Sequence, residues 1–238
     1  LVRSITCWAL ARYAKWISEQ PNPDAFLVPS LVGILTCVND DNKRVQEAAC
    51  SAFSTFVEIA TAVKVTPYLK PILQYLASAF KKYHRKNLVI LYDSISTLSD
   101  VVQQNLNQPE LVSIIMPPLI EKWNKLTNSD EDLLPLLECL CSVATALKQG
   151  FLSFAKPVWM RCIAIIENTY KEEEAIIAAN QQDEETVDKD FVVCSLDLLA
   201  AIVDALGPTV ESLVKESKLL GALVRCAQDN DAHDVKQS

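Results

Sequence analysis

With 238 residues, half of them hydrophobic, the chain is long enough to bury a large core in one or two domains. Only four glycines, against abundant Ala, Leu and Val, argue for helices over turn-rich β structure. A formal charge of −8 disfavours direct nucleic-acid binding, which needs a basic face, and suits a basic partner. No continuous apolar run approaches the roughly 18 residues of a membrane span.

The first predicted element is a helix in SITCWALARYAKW, residues 4–16. At 100° per residue Ile5, Trp8, Arg12 and Trp16 share one stripe, and Cys7, Leu10, Ala14 and Ile17 share a second on roughly the opposite side. A surface helix needs only one apolar face. One of the two stripes is therefore free for binding, and the first, with Trp and Arg as its anchors, is the candidate face; Trp16, near the helix end, is assigned to packing. The chain starts inside this helical pattern, without Met or a signal-peptide run, and reads as a fragment of a longer protein.

Next come four segments with a common pattern, FLVPSL, YLKPIL, IIMPPL and FAKPVW. Their prolines, Pro29, Pro71, Pro117 and Pro157, stand 42, 46 and 40 residues apart. Each proline is expected in the first turns of a helix, where its missing N–H costs least. Second helices alternate with these, starting at Asp40, Arg85, Ser129 and Val187 after polar turns. Asn42, Asn87 and Asp132 repeat at 45 residues. The last interval is lengthened by KEEEAIIAANQQDEETVDKD, which is expected to extend the preceding helix before forming a loop near 180–189. The final DNDAHDVKQS resembles DDNKRVQEA and predicts the start of another second helix.

A period of 40–47 residues holding two antiparallel helices is the HEAT pattern. The expected fold is all-α, a HEAT-repeat superhelical solenoid of stacked antiparallel helix pairs. Residues 1–238 are read as a single array of about one half repeat, four full repeats and a partial one. In such a solenoid the second helices line the concave side, so their outward residues meet a partner.

Catalytic constellations are missing from this pattern. His84 and His233 both lie in charged turns without companions at ligand spacing, so no metal site is expected. There is no phosphate loop, nucleophile elbow or HExxH, and the expectation is a non-enzyme without cofactors. Seven of the eight cysteines sit among helical apolar neighbours, which predicts free, buried thiols and a reducing intracellular home.

LVRSITCWALARYAKW, DDNKRVQEAACSAF, KNLVILYDSISTLSD, MPPLIEKWN and DLLPLLECLCSVATAL together resemble the central HEAT repeats of the transportin family of karyopherin-β import receptors. The resemblance runs from Leu1 to Ser238 and is weakest around Gln182. It implies binding of nuclear localisation signals of the proline–tyrosine class, which are extended, basic segments ending in R/K/H-x(2–5)-P-Y. On the family's pattern Ile5, Trp8 and Arg12 receive the Pro-Tyr end. Ala48, Thr55 and Glu58 match positions on the next second helix, Asp93 and Thr97 on the one after, and Asp100 and Glu138 further acidic positions. The implied partners are cargo proteins with such signals, often RNA-binding proteins, together with nucleoporins, and Ran GTPase through repeats outside this chain. The implied location is cytoplasm and nucleus, with neither nucleic acid nor membrane bound directly. The alternative is a HEAT scaffold for a folded partner in another assembly, such as a phosphatase scaffold subunit.

Overall fold

The spacing of apolar residues organises the chain into paired helices. A computed structural model describes residues 1–178 and 187–228, and among these every regular element is an α-helix or a short 3₁₀ turn. The fold class is all-α, and its helix pairs are HEAT repeats. The chain divides into two compact units, Leu1–Lys125 and Leu126–Ser238.

In the first unit, α1 (Val2–Arg12) continues after a break at Tyr13 into α2 (Ala14–Glu19). Then follow α3 (Leu27–Val38), α4 (Lys43–Val65), α5 (Leu69–Ala79), α6 (Arg85–Val102) and α7 (Pro109–Lys125). They form two layers. Helices α1, α4 and α6 lie side by side, as do α3, α5 and α7, with α3 against α4 and α5 against α6. Between the layers Ile34, Phe53, Phe56, Leu73, Leu76 and Leu91 are fully buried. Removing such side chains from water supplies roughly 1.5–3 kcal/mol each.

Polar side chains set the register between α4 and α6. The Asn87 amide donates to the Lys43 carbonyl at 2.9 Å and to Gln46 Oε1 at 2.8 Å, and Gln46 donates to the Asp40 carbonyl at 2.7 Å. The repeated Asn at 45-residue spacing thus has different tasks. Asn42 accepts from the Arg44 N–H and caps α4, whereas Asn87 is buried and bridges two helices.

The second unit contains α8 (Leu133–Leu147), α9 (Leu152–Ala178), α10 (Asp190–Leu206), α11 (Glu211–Glu216) and α12 (Leu219–Gln228). Helix α10 packs against both α8 and α9, and α12 touches α9. Trp159 on α9 is fully buried and its indole N–H donates to Ser217 Oγ at 3.2 Å.

The helix starts lie close to expectation, at Lys43, Arg85, Leu133 and Asp190. The helical extension after Tyr170 is present as far as Ala178. Most of the expected 180–189 loop, and the helix start expected in DNDAHDVKQS, lie outside the described residues. Pro29 and Pro71 occupy the third positions of α3 and α5, as expected. Pro157, in the second turn of α9, and Pro117, in the third turn of α7, lie deeper. Helix α7 starts early because Pro109 itself supplies a favourable first position, with Glu110 beside it complementing the helix dipole.

Stretches 43–79 and 190–216 contain windows as apolar as a membrane span, although the sequence has no continuous apolar run of that length. These helices are covered on several sides by α1, α3 and α6, or by α8 and α9. Their composition reflects that burial, which covers about half of each window. All eight cysteines are free; Cys7, Cys50, Cys139, Cys162 and Cys226 are buried, and the other three are half-buried.

One device recurs that the period did not reveal. Thr61, Gln103, Lys148 and Gly207 all have positive φ, at 67°, 46°, 49° and 54°, and each stands at or near the end of a second helix. A 3₁₀ turn opens at Gln103, Lys148 and Gly207, and at Thr66 shortly after Thr61, and each turn leads into the next first helix. Only Gly207 has the residue type that adopts this conformation without strain. Lys148→Gly is therefore expected to stabilise the second unit by about 1 kcal/mol, and Gly207→Ala to destabilise it by a similar amount. Urea denaturation midpoints of the two variants should move in opposite directions.

Candidate functional site: the exposed face of the second helices

Helix α1 resolves its two stripes. Cys7, Ala14 and Ile17 are buried, and α1 and α2 pack on α4. On the other side Ile5 is 54% and Trp8 59% exposed. Arg12 lies with its guanidinium carbon 5.0 Å from the centre of the Trp8 ring, a cation–π pair on the surface of one helix. Trp16 stays 53% exposed but meets Phe26 edge-on, ring centres 5.4 Å apart. It packs on one flank only.

Helix α4 has α1 and α6 on its flanks and α3 behind it, so its fourth side faces solvent. At 100° per residue that side carries Ala48, Ser51, Thr55 and Glu58. Ala48 and Thr55 are half-buried and Glu58 is exposed; the Thr55 hydroxyl donates to the Ser51 carbonyl at 3.0 Å. The corresponding side of α6 carries Val89, Asp93, Thr97 and Asp100, with both carboxylates exposed and Thr97 half-buried. Ser94 fixes this register through its hydroxyl, 3.3 Å from Ser54 Oγ and 3.4 Å from the Cys50 carbonyl. Its neighbour Asp93 consequently lies close to Cys50, whose thiol is pushed up by burial and further by that carboxylate, despite hydrogen bonds to Tyr83 and Ser94 that oppose the shift.

The structure thus brings Ile5, Trp8, Arg12, Ala48, Thr55, Glu58, Asp93, Thr97 and Asp100 onto the solvent sides of three adjacent helices. Glu138 is exposed on α8 in the second unit. There, burial first and then the Glu138 and Asp197 carboxylates push the Cys194 thiol up to about 11. Such thiols stay protonated and are inert as nucleophiles.

Asp197 escaped the reading of the sequence, and backbone geometry reveals it. Ser51, Asp93, Glu138 and Asp197 each stand ten residues before a positive-φ residue, Thr61, Gln103, Lys148 and Gly207. They are equivalent positions of successive second helices, and three of the four hold a carboxylate. Ser51 and Val89 were likewise missed, because small and apolar residues carry no chemical signature of a surface role.

Chemically, the first unit offers an indole–guanidinium platform beside two helices with exposed carboxylates. Such a face can hold a flat apolar group at one end and accept charge-assisted hydrogen bonds from cations along the rest. Among the described residues no three His, Cys, Asp or Glu side chains cluster as metal ligands.

No family model matches the chain. Individual proteins do, along its whole length. It is 50% identical over 239 residues to Transportin-1 of Homo sapiens, 49% identical over 241 residues to Transportin-1 of Oryza sativa, and 42% identical over 245 residues to Importin subunit beta-2 of Schizosaccharomyces pombe. All of this chain is covered in each comparison, against 26% of each relative. The chain therefore spans about a quarter of the length of these proteins.

Proposed function

Because this chain belongs to the transportin family along its whole length, we propose that it is the signal-binding segment of a nuclear import receptor. Its ligand is an extended basic peptide ending in Pro-Tyr, bound along the exposed sides of α1, α4 and α6. The observation that carries this reading is the exposed Trp8 with Arg12 stacked 5.0 Å away, on a helix whose opposite stripe already serves packing. Ile5 and Trp8 supply the apolar surface for the proline and tyrosine rings. Arg12 hydrogen-bonds the peptide backbone or the tyrosine hydroxyl. Glu58, Asp93 and Asp100 pair with the arginines and lysines upstream, Glu138 on α8 is a further acidic anchor of the family's pattern, and Ala48, Thr55 and Thr97 keep the groove floor low enough for close approach.

Binding of a disordered segment costs ordering entropy, so affinity is spread over several modest anchors. The cargo is of the kind that carries such signals, including RNA-binding proteins. Ran GTPase and nucleoporins are engaged by the longer protein, which shuttles between cytoplasm and nucleus. The segment works by binding alone, without catalysis or cofactor. The 42-, 46- and 40-residue proline spacing supports reading 1–238 as one repeat array.

Titration of a basic Pro-Tyr peptide at increasing ionic strength tests the charge half of this reading. Affinity should fall steadily, because the contributing carboxylates are exposed and screened by salt. Salt-independent binding, or capture of only a folded partner and no peptide, would sink it.

A further inference from the structure

The first unit has another surface, in its other layer and of opposite sign. Where α7 runs beside the end of α5 and the turn that follows it, residues between 74 and 125 enclose a groove of about 780 Å³. Lys81, Lys82, Lys122 and Lys125 surround it together with the His84 imidazole, against one carboxylate, Glu121. Two of the cations are engaged. Lys125 Nζ lies 2.6 Å from Glu121 Oε1, and Lys82 Nζ lies 3.0 Å from Asp41 Oδ1 and 2.7 Å from the Asn39 carbonyl. Lys81 and Lys122 have no carboxylate within ion-pair distance among the described residues. They add to the positive field that, after the Lys125 hydrogen bond, holds the Glu121 carboxyl below its usual range.

The groove also has a means of meeting a backbone. Ile114 and Pro118 both line it, and Pro118 has no N–H to give to the Ile114 carbonyl four residues earlier. That carbonyl therefore lacks its usual helical donor. An extended peptide can supply the missing N–H while its side chains meet the lysines.

We propose that this groove docks an acidic, extended segment of a partner protein, a short run of Asp or Glu, independently of the face formed by α1, α4 and α6. The occupant follows from charge. On a chain of net charge −8, four lysines against two carboxylates, Glu121 and Asp41, form a local reversal that attracts carboxylates and repels basic peptides. A nucleic acid fits less well. The groove's aromatic rings, Phe80 and Tyr83, are buried and offer no face on which a base could stack.

A fluorescent peptide with a run of about six glutamates, titrated against the whole 238-residue chain, provides the test. Saturable binding is expected, weakened about tenfold or more by Lys81→Glu combined with Lys122→Glu. Lys122→Gln alone, which keeps the stem length, should give a smaller loss in the same direction. Lys43→Glu combined with Arg44→Glu on α4, an equal charge change at exposed positions in the other layer, should leave the affinity within about twofold of the parent. The proposal is overturned if the charge-reversed variant, with unchanged circular dichroism, binds as tightly as the parent. It is equally overturned if a glutamine peptide of the same length binds as well, or if a single-stranded RNA oligomer binds the groove more tightly than the peptide does.

Discussion

Trp8→Ala combined with Asp93→Lys is expected to weaken binding of a basic Pro-Tyr peptide on the order of 100-fold or more, with helicity unchanged. Trp8 offers more than half of its surface to solvent, and its ring partner is Arg12 on the same helix. Truncation removes the apolar platform and leaves the guanidinium without its stacking face. Asp93 is exposed on α6, where lysine converts an attraction for the peptide's cations into a repulsion. The two residues lie on helices α1 and α6, which flank α4 on opposite sides, so their effects should add. Isothermal titration of both single variants and the double variant measures this directly. Trp16→Ala serves as a contrast, since its edge-on contact with Phe26 assigns it to packing, and it should leave peptide affinity nearly unchanged.

The largest expected effect on stability lies at Trp159→Ala, about 3–5 kcal/mol for the second unit. Trp159 is fully buried on α9, and truncation leaves a cavity the size of an indole. It also removes the donor to Ser217 Oγ, which ties α9 to the turn after α11. Against a typical domain stability of about 5–15 kcal/mol, such a loss takes a large share. Trp159→Phe keeps most of the volume and loses the hydrogen bond, so it should cost less than half as much. Chemical denaturation followed by circular dichroism at two wavelengths separates the two variants.

Trp8 and Trp16 show how much could be read from the sequence. They share a helical stripe, and periodicity alone could not distinguish them. Position near the helix end suggested packing for Trp16, and the structure supplies the partner, Phe26, from the segment before α3. Helix pairs were legible because polar turns and apolar spacing recur together, and the starts of α4, α6, α8 and α10 fall within four residues of expectation. Pro117 was misplaced in its helix because a proline marks a helix start only on average, and Pro109 begins α7 two turns earlier.

The candidate face was legible where side chains are chemically distinctive and illegible elsewhere. Trp8, Arg12, Glu58 and Asp93 announce themselves. Asp197 did not, because the stretch between α9 and α10 breaks the 45-residue interval that links Asp93 to Glu138. Its equivalence became visible only through backbone geometry, the positive-φ residue that stands ten positions later in each of four second helices. The groove beside α7 was hidden for a related reason. Lys81 and Lys122 are 41 residues apart in sequence, and only the packing of α5 on α7 brings their segments together.

The most direct measurement compares two peptides on the unmodified chain, one basic and ending in Pro-Tyr, the other identical but ending in Ala-Ala. With Ile5, Trp8 and Arg12 as the receptor of the Pro-Tyr end, the first should bind at least about tenfold more tightly, and Trp8→Ala should erase the difference. Equal affinities of the two peptides for the unmodified chain would contradict the account.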